Sequence, residues 1–123
     1  MNIVDSSGWL EYYANGKNAE IFEPIITAVD KLLVPTITLY EVFKKVLQQR
    51  DETQALRAIA IMQQGTIIEL TNSIAINAAK ISVENKLPMA DSIILTTARQ
   101  YDATLWTQDE DFEKIVGVKY IKK

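Results

Sequence analysis

Asn2-Ile3-Val4-Asp5-Ser6-Ser7 is the stretch on which the rest of the chain turns. A short apolar run, Ile3 and Val4, ends abruptly in an aspartate and two serines. In an open α/β sheet, ligands and chemistry gather at the carboxyl ends of strands. Asp5 therefore stands where a metal or a phosphate-handling group would sit. Three later places supply partners for it: Glu41, Asp91 and the cluster Thr107-Gln108-Asp109-Glu110-Asp111-Phe112. The expectation is that these acids meet in one pocket and hold a divalent cation.

Composition narrows the chemistry. The chain has 123 residues, 48% of them hydrophobic, enough for one domain with a substantial core and without the signature of disorder. Cysteine is absent, which excludes disulfides, thiolate nucleophiles and Cys-based metal sites. Histidine is absent too, which removes the usual general base and the Ser-His-Asp arrangement. Carboxylates, lysines and hydroxyls remain, and hard oxygen ligands suit Mg2+ or Mn2+ rather than zinc or copper. The net charge is -3, and with the four candidate acids set apart the remainder is close to neutral. No basic stripe of the kind that marks tight duplex binding is present. The chain opens into structure without a charged and apolar leader, and no apolar run approaches a membrane span. A soluble, cytoplasmic protein is expected.

Short β-branched runs alternate with helical patterns, which points to α/β architecture around a mainly parallel sheet. Gly8 to Tyr13 reads as a short helix capped by Ser6 or Ser7. Another begins at Asn18, with Pro24 kinking it or delaying its start. Leu32-Leu33-Val34 is the second strand, stopped by Pro35. Thr38 and Glu41 have the spacing of a capping box opening a helix whose face is Leu39, Phe43, Val46 and Leu47. Asp51 with Gln54 repeats that logic for a helix carried by Leu56, Ile59 and Ala60 and closed by Gly65. Thr66 to Leu70 is the third strand, and Asn72 or Ser73 starts the next helix. The helix after Pro88 carries Asp91 in its first turn, with Ile94, Thr97, Ala98 and Tyr101 on the core side. Thr104-Leu105-Trp106 is the fourth strand. A short helix around Phe112 and Ile115 ends at Gly117, Val118 to Ile121 form an edge strand, and Lys122-Lys123 are a solvated tail.

Each acid has a bland reading as well as a chemical one. Asp5 suits a turn or cap, or a partner for Lys17, Lys44 or Lys45. Glu41 can reach back to cap its own helix, and Asp91 in a first turn is favoured by the helix dipole. Asp109 and Asp111 suit the cap of the last helix. Together they argue for more, because every one follows a strand end and is aimed at one edge of the sheet. Carboxylates gathered there repel one another unless a cation offsets them. A metal would also activate water and stabilise charge on a phosphoryl oxygen, which allows phosphodiester hydrolysis without histidine.

Four segments, Ile3-Val4-Asp5-Ser6-Ser7, Leu39-Tyr40-Glu41-Val42, Met89-Ala90-Asp91-Ser92-Ile93-Ile94 and Thr107 to Phe112, follow one another in an order that resembles the PIN-domain pattern. Within that family the chain looks most like the VapC-type toxins of toxin–antitoxin pairs. The resemblance spans the whole chain and implies a single three-layer domain over residues 1–123, with a parallel sheet of four to five strands flanked by helices. It also implies a Mg2+- or Mn2+-dependent ribonuclease, usually a homodimer, with RNA as substrate and a cognate antitoxin as partner. Asp5, Glu41, Asp91 and Asp109 match the family's acidic quartet, with Asp5, Asp91 and Asp109 as metal ligands. Thr107 matches the hydroxyl residue that supports the fourth acid, and Ser6 the one beside the first. Asp111 is expected as a helix cap or outer partner, although Asp109, Glu110 and Asp111 compete for the fourth position.

The alternatives fare less well. A phosphoacceptor receiver domain would show paired acids near its first strand and a later strand-end lysine, where this chain has Ser6, Ser7 and Thr107-Gln108. A haloacid-type phosphatase needs an aspartate where Ser7 stands. A PIN-like interaction or RNA-docking module without catalysis keeps the same residues and differs only in lacking a metal response. Trp9, Tyr12 and Tyr13 form a plausible apolar patch for a second copy.

Overall fold

The computed structural model describes residues 1–123. Five strands are all parallel: β1 (Asn2–Val4), β2 (Leu32–Pro35), β3 (Thr66–Ile68), β4 (Thr104–Thr107) and β5 (Val118–Tyr120). Their order across the sheet is β3-β2-β1-β4-β5. The six helices are α1 (Ser6–Tyr13), α2 (Ala19–Thr27), α3 (Thr36–Gln49), α4 (Glu52–Met62), α5 (Asn72–Asn85) and α6 (Met89–Gln100). The α/β class, the parallel sheet and the edge position of β5 are as expected.

Side-chain alternation along the central strands builds the two layers. Ile3 and Leu33 face a core shared with Ile74 and Ala78 of α5 and Ile94, Leu95 and Ala98 of α6. Val4, Leu32 and Val34 face the other side, against Trp9, Phe22, Val42, Ala58 and Met62 from α1 to α4. A parallel sheet must be covered on both faces, and here it is.

Several local expectations give way to tertiary packing. Pro24 lies inside α2, which runs through it. Pro35 closes β2 as a paired residue opposite Ile68. The capping box at Thr38 and Glu41 does not form, because α3 already starts at Thr36, after Pro35. Thr38 is buried with its hydroxyl unpartnered, and Glu41 is left free of capping duty. Helix α4 is capped by Asp51, which accepts from the Gln54 amide at 2.8 Å, but its inward face is Ala55, Ala58 and Met62; Leu56 is 53% exposed. Small residues are needed there because α3 packs close against α4. In α6 every residue from Asp91 to Ala98 is buried, a helix enclosed on all sides, while Tyr101 lies outside. Trp9 belongs to the core and Tyr13 donates to Gln54, so the proposed patch of Trp9, Tyr12 and Tyr13 is not a free surface.

Candidate active site

Strands β1 and β4 are neighbours, and the chain leaves β1 toward β2 on its other side. This is a topological switch point, where an open sheet forms a crevice at its carboxyl edge. Asp5 sits at that point. Its amide donates to Trp106 O at 3.1 Å, continuing the ladder, and its side chain turns to cap α1. Asp5 Oδ1 accepts from the Gly8 amide at 3.1 Å and from Ser7 Oγ at 2.6 Å. Asp5 is thus the cap that Ser6 or Ser7 was expected to be. Gly8 is required on the next turn: a Cβ there would lie 2.5 Å from Val4 Cγ1 and 2.7 Å from Phe22 Cε1.

Thr107, at the end of β4, ties Asp5 to the last acids. Its hydroxyl donates to Asp5 Oδ2 at 2.5 Å and accepts from the Asp109 amide at 2.9 Å. Asp109 then caps the 3-10 turn Glu110–Phe112 by accepting from the Asp111 amide at 2.9 Å. The cap is therefore Asp109, and the Asp111 side chain is left for other use. Asp91 enters from the first turn of α6, which has no side-chain cap of its own. Glu41 enters from α3, which packs against both α1 and α6.

Carboxylate oxygens of Asp91, Asp109 and Asp111 all lie within 4.8 Å of one another. Their electrostatics record the crowding. The Asp91 carboxyl is pushed up to about 8, by burial first and then by Asp109, Asp5, Glu41 and Asp111 in turn. Asp5 is raised to about 6 by burial, with its bonds from Ser7, Thr107 and Gly8 opposing and Asp109 adding to the rise. Glu41 is raised by burial and by Asp109, with the Ser6 hydroxyl opposing. Lys17, Lys44 and Lys45 play no part in the balance at Asp5, whose hydrogen-bond partners are Ser7, Gly8 and Thr107.

The donor set fits a hard divalent cation. It consists of oxygens only, at least three carboxylates share one small volume, and Glu41 Oε1 is buried with no hydrogen-bond partner. Asp91 feels the other three acids expected from the sequence, Asp109, Asp5 and Glu41, and Asp111 as well. Ser7 was the residue missed. Its hydroxyl holds Asp5 and accepts from the Gln108 amide at 3.1 Å, stitching β1 to β4. The doublet after Asp5 was visible in the sequence, but only the helical turn decides which serine points back.

Comparison with known proteins agrees with this fold. Residues 3–118 match the PIN domain family. Among solved structures, a toxin–antitoxin complex from Klebsiella pneumoniae is 24% identical with a TM-score of 0.79, covering 96% of this chain and 95% of that one. VapC20 of Mycobacterium tuberculosis, described as a sarcin–ricin loop cleaving toxin, is 16% identical with a TM-score of 0.81, covering 97% and 98%. VapBC2 of Rickettsia felis, bound to a DNA fragment from its promoter, is 15% identical with a TM-score of 0.75, covering 98% and 96%. No curated protein matches the chain.

Proposed function

The chain belongs to the PIN-domain family, and from that premise we propose that it is a metal-dependent endoribonuclease, the toxin of a toxin–antitoxin pair. The observation that carries this reading is the convergence of Asp5, Glu41, Asp91, Asp109 and Asp111 on one edge of the sheet, where burial and then the other four acids all disfavour a charge on Asp91. The solved relatives that are toxins or toxin–antitoxin complexes support it. Residues 1–123 act as one domain, in the cytoplasm, with RNA as substrate and an antitoxin protein as partner. No helix is long and apolar enough to cross a membrane.

Asp91, Asp109 and Asp111 would hold Mg2+ or Mn2+. Asp5, whose Oδ2 accepts only the Thr107 bond and keeps a lone pair free, would add a further carboxylate to that site. When bound, the ion supplies positive charge for the phosphate and lowers the pKa of water. Glu41 Oε1, buried and unpartnered, orients the attacking water and takes its proton. Thr107 and Ser7 hold Asp5 in one rotamer, so the site costs little reorganisation when substrate arrives. Attack on phosphorus forms the new P–O bond and breaks the bond to the 3′-oxygen, which takes a proton from solvent water, leaving a 5′-phosphate and a 3′-hydroxyl.

A second copy of the chain is expected to pack on the groove between α5 and α6. Seven of its nine lining residues are hydrophobic, and Val83 and Met89 are 81% and 71% exposed beside it. The test of the catalytic reading is cleavage of mixed single-stranded and structured RNA with Mg2+, Mn2+ or excess chelator. Wild type should cut only with metal and folded Asp91→Asn should not. Full cutting by that variant would overturn the reading. Absence of both cutting and metal-induced stabilisation in the wild type would favour a docking module.

A further inference from the structure

Beside the acids, a cleft of about 600 Å3 runs from Asp109 and Asp111 to the segment after β5. Its floor is Ser7 and Gln108, and its far wall is Tyr120, Lys122 and Lys123. The sequence alone makes those lysines a solvated tail, but the backbone that carries them is held. The Ile121 amide donates to Thr107 O at 2.7 Å, prolonging the β4–β5 pairing. Asn18, only 6% exposed, donates through Nδ2 to Gln108 Oε1 at 2.9 Å and to Lys122 O at 3.3 Å. A buried amide is costly unless satisfied, and here its bonds fasten the lysine backbone to the cleft floor.

The two walls have opposite character. One is acidic, and the other offers two ammonium groups and an aromatic ring. Tyr120 faces the acids across the gap: its phenol is pushed up by desolvation and then by Glu113, Glu110 and Asp109. A polyanion entering the acidic edge needs cations beside the carboxylates to offset their repulsion. A half-buried ring lining the cleft beside them suits an unpaired base, because stacking requires a base that has left its duplex.

We propose that this cleft seats the single-stranded RNA segment adjoining the bond to be cut, with Lys122 and Lys123 on its phosphates and Tyr120 stacked on a base. The assignment rests on the ribonuclease reading for the position of that bond. It makes the three residues positioning residues that act through substrate placement. Anchoring by Asn18 and Thr107 means that the lysine backbone is ordered before RNA arrives, so less entropy is lost on binding.

The test uses the full chain and a fluorescein-labelled 12-nucleotide single-stranded RNA of mixed sequence. Polarisation is read across a salt series without divalent metal, and cleavage of the same RNA is read with Mn2+. Lys122→Gln/Lys123→Gln should weaken binding about tenfold at 0.1 M salt and flatten the salt slope by about 1.4, two phosphate contacts at roughly 0.7 each. It should raise KM with little change in kcat. Lys31→Gln/Lys80→Gln, which removes the same charge from exposed positions away from the cleft, should leave the slope as it was. Tyr120→Leu should weaken single-stranded RNA more than a duplex of the same sequence. Wild-type affinity, slope and KM in the tail variant, with cleavage intact, would overturn the seat and leave the nuclease standing. Tail-dependent binding with no cleavage by the wild type would support the seat and remove the nuclease. Absence of RNA binding by the wild type would overturn the seat.

Discussion

Replacing Asp91 by asparagine should make the metal-free protein more stable while weakening its metal response. Asp91 is 8% exposed, yet its carboxyl opens into the acid pocket, and every influence on it favours the neutral form. A carboxyl raised from 3.8 to about 8 keeps a proton in the folded state that the unfolded chain gives up. Between those two values the folded state binds more protons, so stability falls as pH rises through the window and the loss is complete above about 8. Carried through without screening, the effect at pH 7 would be about 4 kcal/mol. Solvent in the pocket screens the neighbouring charges, and the expected gain for Asp91→Asn is ~1–2 kcal/mol. For a domain of this size that corresponds to roughly 4–8 °C in Tm. The assay is thermal unfolding followed by circular dichroism in chelator at pH 5, 7 and 8.5, repeated with Mn2+. Wild type should lose Tm as pH rises, with Asp5, raised to about 6, contributing in the same direction. The variant should lie above wild type at pH 7, approach it at pH 5, and gain less from Mn2+. A variant Tm equal to or below wild type at pH 7, with the wild-type pH slope retained, would refute the charge-crowding account.

Three further outcomes follow from single contacts. Thr107→Val removes the donor to Asp5 Oδ2 and the acceptor of the Asp109 amide; it should cost about 1–3 kcal/mol by denaturant melt and lower cleavage at least tenfold, whereas Thr107→Ser should retain most of both. Gly8→Ala places a methyl against Val4 and Phe22, both fully buried; overpacking of this kind should destabilise by about 1–3 kcal/mol, and an unchanged Tm would show that α1 can shift at no cost. Val83→Asp with Met89→Asp puts charge on the apolar groove of α5 and α6; light scattering should then give a monomer, and a persisting dimer would place the contact elsewhere.

Much of the site could be read from residue order. Asp5, Asp91 and Asp109 each follow a strand or open a helix, and those boundaries come from short-range signals: β-branched runs, Pro88, and the Thr107-Gln108 break after Trp106. Glu41 was ambiguous for the same reason, since its spacing from Thr38 fits a local cap equally well. The structure removes that reading because α3 begins three residues earlier than a cap at Thr38 would start it, a consequence of Pro35 pairing in the sheet and Thr36 donating to Ile68 O at 3.0 Å. A side-chain bond from the first residue of α3 to the end of β3 thus outweighed a local spacing rule.

The sequence by itself determined the α/β class, the parallel sheet and the absence of any chemistry beyond carboxylates, lysines and hydroxyls. Those follow from periodicity and from which residue types are missing, and neither depends on long-range contacts. Which hydroxyl holds Asp5, which acid caps the 3-10 turn and which helix faces are buried were decided only in three dimensions. Ser7 was chosen because the first turn of α1 points it back to Asp5, and Asp111 was freed because Asp109 took the cap. The lysines after β5 became part of a cleft because a buried Asn18, about a hundred residues away in the chain, fastens the Lys122 backbone there. Each of these outcomes depends on a hydrogen bond whose partner sits elsewhere in the fold or on a rotamer set by a turn, and residue spacing carries neither.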